Sequence, residues 1–231
     1  IKYQYGVPGT GFTTDEGILQ GVNNGVFVDL GSGVGKAAIA AFMTHSFKKI
    51  YATELLEGLH MCALELHELF ELGVKKTLPR FKDEDLRNVN ATDLQFLNGD
   101  FRDLNLVNWV GGDVVFCNCT TFSDENWEEL NASASEMRPG SFFITTTREL
   151  TAIEFSSLEM LMFDRDDRPG KITVFIHQRK SNEQIERELT GGGSDSEEAD
   201  EGSVGREGGL GGGAGPPPVK RARRGGAGVP K

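Results

Sequence analysis

The residues best suited to bind a small molecule form a glycine-rich run near the start of the chain, DLGSGVG at 29–35. An apolar strand over 25–30 precedes this run, and an alanine-rich helix over 36–47 follows it. A glycine turn between a strand and a helix presents backbone N–H groups at the positive end of the helix, where they bind polar groups. The run therefore predicts a cofactor-binding turn. An ordinary strand-to-helix turn that contains several glycines is the alternative.

The spacing of these glycines separates three kinds of cofactor turn. A phosphate-binding P-loop requires Gly at 30 and Ser or Thr at 37, where this chain has Leu30 and Ala37. A dinucleotide fingerprint requires Gly at 36, where this chain has Lys36. An acidic residue followed by G-x-G-x-G resembles the first motif of the seven-strand methyltransferases. That resemblance implies that the methionine part of S-adenosylmethionine lies against the turn, with Asp29 orienting its ammonium group directly or through water.

Acidic residues at the ends of the next two strands fit the rest of a nucleoside. Glu54 ends a strand over 49–53 and lies nineteen residues after Gly35. A carboxylate at about this distance reaches the ribose and accepts from both hydroxyls. Asp100 and Phe101 follow a third strand, where the carboxylate would accept from the adenine amine and the ring would pack on the base. The alternatives are a solvated strand-end Glu and a turn Asp beside a core Phe.

The segment after the fourth strand contains the candidate catalytic residues. The resemblance to seven-strand methyltransferases implies that the loop after that strand faces the sulfonium, so Asn118 would donate and accept near the methyl group and the nucleophile. Phe122 would form a wall of the substrate channel. The alternative is a polar loop that anchors a helix cap at Ser123. Tyr5 lies ahead of the first strand, in a segment that either folds over the cofactor or frays.

The elements that must position these residues alternate between strand and helix five times and end in a hairpin. This alternation predicts a Rossmann-like α/β fold, a mostly parallel seven-strand sheet with helices on both faces. The closing hairpin adds one antiparallel strand near the C-terminal end. The remaining predicted elements are helices over 57–72 and 125–137, strands over 94–97, 113–117 and 141–147, and hairpin strands over 158–163 and 171–178.

Length and composition favour one domain with two flanking segments. We expect a methyltransferase domain over 21–180, a lid or substrate-loop segment over 1–20 that is truncated because the chain begins with Ile1, and a disordered glycine-rich and acidic tail over 190–231. The tail holds six acidic and six basic residues, so the net charge of −11 belongs to the part before it. An acidic body does not attract nucleic-acid backbones but is compatible with a basic protein partner.

Short sequence patterns argue against disulfides, a zinc site and a membrane span, and they suggest a role for the basic part of the tail. Three cysteines do not form a disulfide framework, and Cys117 and Cys119 lack the second ligand pair that a zinc site requires, so no metal is expected. No run approaches the length of a membrane span, and no signal peptide is visible. A basic cluster in the tail fits a nuclear import signal or a weak DNA contact. It comprises Lys220, Arg221, Arg223 and Arg224.

Together the motifs resemble the non-SET histone-lysine methyltransferases of the disruptor-of-telomeric-silencing (Dot-one) type, over roughly residues 3–180. The motifs that carry the resemblance are Tyr5-Gly6, VDLGSGVG at 28–35, Glu54, Gly99-Asp100-Phe101, and Asn118 with Phe122. The resemblance implies a class I methyltransferase fold, S-adenosyl-L-methionine as cofactor, a histone or nucleosome substrate and a nuclear location. It implies cofactor contacts from Asp29, Gly31, Ser32, Gly33, Gly35, Glu54, Asp100, Phe101 and Asn118. It also implies a lysine channel lined by Tyr5, Asn118 and Phe122.

The chain departs from the family pattern before the first strand. Val7 follows Tyr5-Gly6 where the family usually has Glu, and the helical lobe that precedes this motif in the family is absent from the sequence. Two other functions therefore stay open. One is a methyltransferase for a non-histone protein or a small molecule. The other is a non-catalytic binding module that keeps the fold.

Overall fold

The computed structural model describes residues 22, 24–77, 92–165 and 169–190. Tyr5 and the predicted lid over 1–20 lie outside the described residues. The same holds for the tail beyond Thr190 and its basic cluster.

Seven strands in the described part of the chain form a single sheet. They are β1 Val26–Leu30, β2 Lys49–Glu54, β3 Asp93–Asn98, β4 Val114–Cys117, β5 Phe142–Thr146, β6 Phe155–Asp164 and β7 Lys171–Arg179. Their order is β3-β2-β1-β4-β5-β7-β6, with β1 to β5 parallel and β7 antiparallel to both of its neighbours. The predicted sheet with one antiparallel strand is confirmed. The strand order reverses between β1 and β4, and ligands of such sheets bind outside the carboxyl ends of the strands at this point.

Helices cover both faces of the sheet, as predicted. The α-helices of the described residues are α1 Lys36–Thr44, α2 Glu57–Thr77, α3 Asp124–Ala134 and α4 Asn182–Leu189, of which α4 has no buried residue. Alternate residues of β1 enter different apolar clusters: Phe27 packs in the cluster that contains Ala38 of α1, and Val28 packs in the cluster that contains Leu130 of α3. This division follows from the alternation of side chains along a strand that is covered on both sides.

Four element ends differ by three or more residues from the predicted ones: α1 and α3 end earlier, α2 ends later at Thr77, and β6 begins earlier. α1 ends at Thr44 rather than 47, and Phe47 is buried from the following turn, with its ring centroid 5.3 Å from that of Phe27. β6 begins at Phe155 rather than 158, because the Phe155 ring packs 6.5 Å from Phe143. No helix in the described ranges is long and apolar enough to cross a membrane.

Candidate active site

The glycine turn connects β1 to α1 through three residues in the left-handed region. Gly31, Gly33 and Gly35 have φ values of 68°, 56° and 80°, which side chains on Cβ disfavour. Gly35 is the N-cap of α1. The Ser32 N–H donates to the Thr53 carbonyl at 2.9 Å, which ties the turn to the end of β2. The turn therefore opens at the carboxyl edge of the sheet beside Glu54.

The last glycine of the turn is required by packing as well as by backbone conformation. A Cβ on Gly35 would collide with the Phe96 ring, with the Cζ atom at 2.9 Å, whereas a Cβ on Gly33 would meet no atom within 4 Å. We expect Gly35→Ala to destabilise the protein by about 3 kcal/mol and the matched Gly33→Ala by about 1 kcal/mol. Urea unfolding of both variants measures the difference. Equal losses would show that the Phe96 contact adds nothing to the backbone strain.

Glu54 joins the glycine turn to the start of α2. Its side chain is 7% exposed, and its two carboxylate oxygens accept from backbone donors on either side. The Gly33 N–H donates to Oε2 at 2.7 Å, and the Leu56 N–H donates to Oε1 at 2.9 Å. Each oxygen keeps further acceptor capacity, so the carboxylate can still receive two hydroxyl donors.

A cavity of about 400 Å³ lies at the switch point of the sheet. This volume falls within the range of small-molecule sites. Seven of the predicted site residues line it, namely Gly31, Gly33, Glu54, Asp100, Phe101, Asn118 and Phe122. The turns after β1, β2, β3 and β4 thus contribute to the same cavity, as their positions at the carboxyl ends of adjacent parallel strands require.

Asp29 lies behind the glycine turn rather than on the cavity wall. It is 1% exposed, and its Oδ2 has no hydrogen-bond partner among the described residues. Burial raises the pKa of this carboxyl to about 7, a hydrogen bond from the Ala38 backbone lowers it, and the charge of Glu54 raises it further. Asp29 is therefore a buried acid whose ionised form has one oxygen, Oδ2, without a hydrogen-bond donor among the described residues.

The raised pKa of Asp29 predicts a pH-dependent stability. Because the folded-state pKa of about 7 exceeds the ordinary value of 3.8, the folded protein is stabilised below pH 4 and loses that stabilisation as pH rises to 7. Between pH 5 and 8, wild type should lose about 2 to 3 kcal/mol relative to Asp29→Asn, which does not titrate. Urea unfolding at both pH values measures this difference.

The comparison with Asp29→Asn removes the effect of a second buried titrating group. Burial lowers the pKa of His177, so its stabilisation is lost as pH falls below 6.5, equally in both proteins. A difference between the two proteins that does not change with pH would contradict the assignment to Asp29.

Arg102 forms an ion pair with Asp100, whose carboxylate is predicted to bind adenine. Its guanidinium donates to both oxygens of Asp100, with Nε at 3.0 Å from Oδ1 and 2.9 Å from Oδ2, and also reaches Glu129 at 3.2 Å. The hydrogen bonds from Arg102 hold the pKa of Asp100 below its usual value. Asp100 is therefore ionised, and an adenine amine would share it with Arg102.

Phe101, which follows β3, contacts Phe122, which lies in the segment after β4. Their rings stack with centroids 5.5 Å apart and planes 18° apart, and both rings line the cavity. The Phe122 ring also covers the glycine turn, because a Cβ on Gly31 would lie 3.4 Å from it. The indole N–H of Trp109 donates to the Phe101 carbonyl at 3.0 Å. The core residue Trp109 thus anchors the backbone that carries Phe101.

Asn118 follows β4 directly and is held by hydroxyl groups. Its Oδ1 accepts from Thr146 Oγ1 at 2.6 Å and from Thr120 Oγ1 at 2.7 Å. The Thr120 backbone N–H, which can only donate, also contacts this atom at 3.5 Å and assigns it as the amide oxygen. Ser123 caps α3 by accepting from the Asn126 N–H at 3.2 Å, so the predicted helix cap and the candidate site coexist in this segment.

Comparison with known proteins identifies the family. The sequence matches the family described as "Histone methylation protein DOT1" over residues 18–165, which is 148 of its 231 residues. The chain belongs to the DOT1 family. No curated protein matches it in sequence.

Solved structures similar to this DOT1 protein include methyltransferases. They include an RNA methyltransferase from Salinibacter ruber in complex with S-adenosyl-L-homocysteine (17% identity, 71% of this chain, 88% of that chain, TM-score 0.47). A methyltransferase from Pyrococcus furiosus has 14% identity, 71% and 80% coverage and a TM-score of 0.46. An rRNA methylase from Streptococcus thermophilus has 11% identity, 71% and 93% coverage and a TM-score of 0.46. The sheet order and family of this chain are those of an S-adenosylmethionine-dependent methyltransferase.

Three predicted cofactor residues of the DOT1 domain lie away from the cavity wall. Asp29, Ser32 and Gly35 lie behind or at the base of the turn, and the buried Ser32 hydroxyl has no partner in the described ranges. Other residues line the cavity without having been predicted as site residues. They are Thr53, Leu55, Leu56, Leu59, Gly99, Arg102, Thr121 and Asn126. Leu55 and Leu56 are 60% and 59% exposed, and two leucines directly after a strand-end Glu are a signal that could have indicated an apolar wall.

The cysteines and histidines of the domain are not assembled into a site. Cys117 and Cys119 are buried, and His177 is a satisfied core residue whose Nε2 accepts from the Leu150 N–H at 3.2 Å. Among the residues that the structure describes, no three His, Cys, Asp or Glu side chains are grouped as a metal site requires.

Proposed function

We propose that this protein transfers methyl groups from S-adenosylmethionine to a lysine of a histone in chromatin. The observation that supports the site assignment best is that Glu54 and Asn118, from separate strand ends, line one cavity with the glycine turn. Membership of the DOT1 family supports a histone substrate. The net charge of −11 suits a basic protein substrate.

The residues on the cavity fit S-adenosylmethionine. The open space above Gly33 leaves room for a group against the backbone, and the Glu54 carboxylate has acceptor capacity for ribose hydroxyls. Phe101 offers an apolar wall for the base, beside the ionised Asp100. The buried Asp29 carboxyl lies behind the turn, where the cationic ammonium and sulfonium groups would favour its ionised form and be stabilised by it.

In this proposal the protein aligns the reactants and excludes water. When bound, S-adenosylmethionine supplies an electrophilic methyl group on a sulfonium that leaves as a neutral thioether. Asn118 would orient the lysine nitrogen through its amide, and Phe122 would exclude water from the line of attack. Neither residue takes a proton.

The lysine must reach the methyl group as a neutral amine. A narrow apolar channel disfavours the ammonium form by desolvation, and the neighbouring sulfonium disfavours it by like-charge repulsion. Both effects lower the lysine pKa, so the proposal needs no His–Asp base in the cavity.

The basic cluster in the C-terminal tail suits a protein that acts on chromatin in the nucleus. We propose that Lys220, Arg221, Arg223 and Arg224 support nuclear import and a weak DNA contact on the nucleosome.

The experiment that tests the function compares substrates for the full chain with S-adenosylmethionine that carries a labelled methyl group. Recombinant nucleosomes, free histones, a mixture of non-histone proteins and RNA are incubated separately. We expect label on a histone lysine, identified by mass spectrometry. Label only on non-histone protein or RNA would assign a different methyltransferase. Cofactor binding without label on any acceptor would identify a binding module.

A further inference from the structure

We infer that the end of β5 holds the catalytic segment in place and that Thr146, Thr147 and Arg148 are positioning residues for methyl transfer. We call these three residues the β5 clamp and residues 118–122 the post-β4 segment. The inference rests on the proposed function, since it assigns the clamp to the same active site.

The register of the sheet brings the two segments together. Cys117 of β4 pairs with Thr145 of β5, and the two strands run parallel. The next residues therefore lie side by side, with Asn118 directly after the end of β4 and Thr146 the last residue of β5. The Thr146 hydroxyl then donates to Asn118 Oδ1 at 2.6 Å.

The backbone at Thr147 lets consecutive clamp residues contact the same segment. Successive side chains of a strand point to opposite faces, so Thr146 and Thr147 would normally diverge. Thr147 instead has a φ of 71°, an unusual value for a β-branched residue. Its hydroxyl lies 3.0 Å from that of Thr120, which donates in turn to Asn118 Oδ1 at 2.7 Å. Strained backbone of this kind persists where the surrounding structure fixes it, and often at functional sites.

Arg148 holds the far end of the post-β4 segment and the start of α3. Its Nη2 atom donates to the Phe122 carbonyl at 3.2 Å and lies 2.9 Å from an oxygen of Asp124. The guanidinium also lies over the Trp127 ring, 5.8 Å from its centroid. The two residues that the proposed function places in the channel, Asn118 and Phe122, are thus both attached to the clamp.

The β5 clamp determines the orientation of the Asn118 amide. Two hydroxyl donors and the Thr120 N–H, at 3.5 Å, all meet at Oδ1. Within the described ranges Nδ2 donates no hydrogen bond to the protein. The clamp therefore fixes the oxygen and leaves the NH₂ group for substrate or cofactor.

The test uses Thr146→Ala and Thr146→Ser in the full chain, with Ser141→Ala at the opposite end of the same strand region as control. The first readout is the side-chain amide signal of Asn118 in ¹⁵N-labelled protein, assigned by its loss in Asn118→Asp. The second is the turnover of the substrate found above. The third is the affinity for S-adenosylhomocysteine, with the melting temperature as a check on folding.

We expect Thr146→Ala to broaden or double the Asn118 amide signal and to lower turnover at least tenfold, with S-adenosylhomocysteine affinity changed less than twofold. Thr146→Ser should restore turnover to within threefold of wild type, and Ser141→Ala should change neither readout. An unchanged amide signal would overturn the inference, as would a serine variant no better than alanine. A loss of affinity in step with turnover would also overturn it.

If wild type methylates no lysine but the amide signal responds as expected, the proposed function fails and the structural clamp stands.

Discussion

Glu54→Gln is expected to weaken S-adenosylmethionine binding by about 1000-fold, or about 4 kcal/mol. Glutamine has one oxygen and one NH₂ group, so either the Gly33 N–H or the Leu56 N–H would face a donor in place of an acceptor. The same change removes the charge that the ribose hydroxyls would meet, and each hydrogen bond to a charged group contributes about 1.5 to 3 kcal/mol. Both the glycine turn and the proposed ribose contact would depend on this one carboxylate.

Isothermal titration calorimetry of the variant with S-adenosylmethionine measures the loss. Glu65→Gln is the matched control, because Glu65 is an exposed residue of α2 away from the cavity. Retention of near wild-type affinity by Glu54→Gln would place the ribose elsewhere. An equal loss in Glu65→Gln would point to overall charge rather than to a contact.

Asn118→Ala is expected to lower kcat by about 1000-fold while the affinity for S-adenosylhomocysteine changes less than tenfold. The substitution removes the amide that would orient the lysine nitrogen, and it leaves the Thr120 and Thr146 hydroxyls without their shared acceptor. Removal of one positioned polar group from an active site costs roughly 100- to 1000-fold in rate. The expected loss is at the upper end because three donors fix this side chain.

Steady-state kinetics on the acceptor substrate identified by methyl labelling, with calorimetry in parallel, separates the effect on kcat from the effect on affinity. Asn182→Ala, at the exposed start of α4, is the matched control. A large loss of cofactor affinity with little change in kcat would make Asn118 a cofactor ligand only. Wild-type kinetics in Asn118→Ala would exclude it from the catalytic machinery.

The parts of the fold that could be predicted from the sequence depend on local patterns. The apolar run before the glycine turn locates β1 to within one residue, because the strand and the turn are both local signals. The family motifs bring seven of the predicted residues onto one cavity, since carboxyl ends of neighbouring parallel strands meet at one edge. Such inferences need only the order of elements and the geometry of a parallel sheet.

Other features depend on tertiary packing and have no local signal. The hairpin makes β6 and β7 neighbours, but the sequence does not indicate that β7 inserts next to β5. The ion pair that Arg102 makes with Asp100 could not be predicted from a G-D-F motif, nor could the left-handed backbone of Thr147. Each arises from where separate segments meet.

The helix α4 was absent from the prediction although a local signal exists. None of its residues is buried, and only Ile185 and Leu189 are apolar, so its apolar pattern is too short to identify a helix as it did elsewhere. Its start is nevertheless encoded by a capping box, in which Ser181 accepts from the Gln184 N–H and the Gln184 side chain accepts from the Ser181 N–H. Capping patterns therefore identify exposed helices that hydrophobic patterns miss.

We propose above all that S-adenosylmethionine binds in the cavity at the carboxyl edge of the sheet. The most direct test is titration of ¹⁵N-labelled full chain with S-adenosylhomocysteine, followed by amide chemical shifts. We predict saturable shifts at Gly33, Leu56, Phe101 and Asn118, with no change at the depression formed by Asp113 and Arg138 on the opposite edge. Shifts confined to that depression, or none at millimolar ligand in a folded protein, would contradict the account.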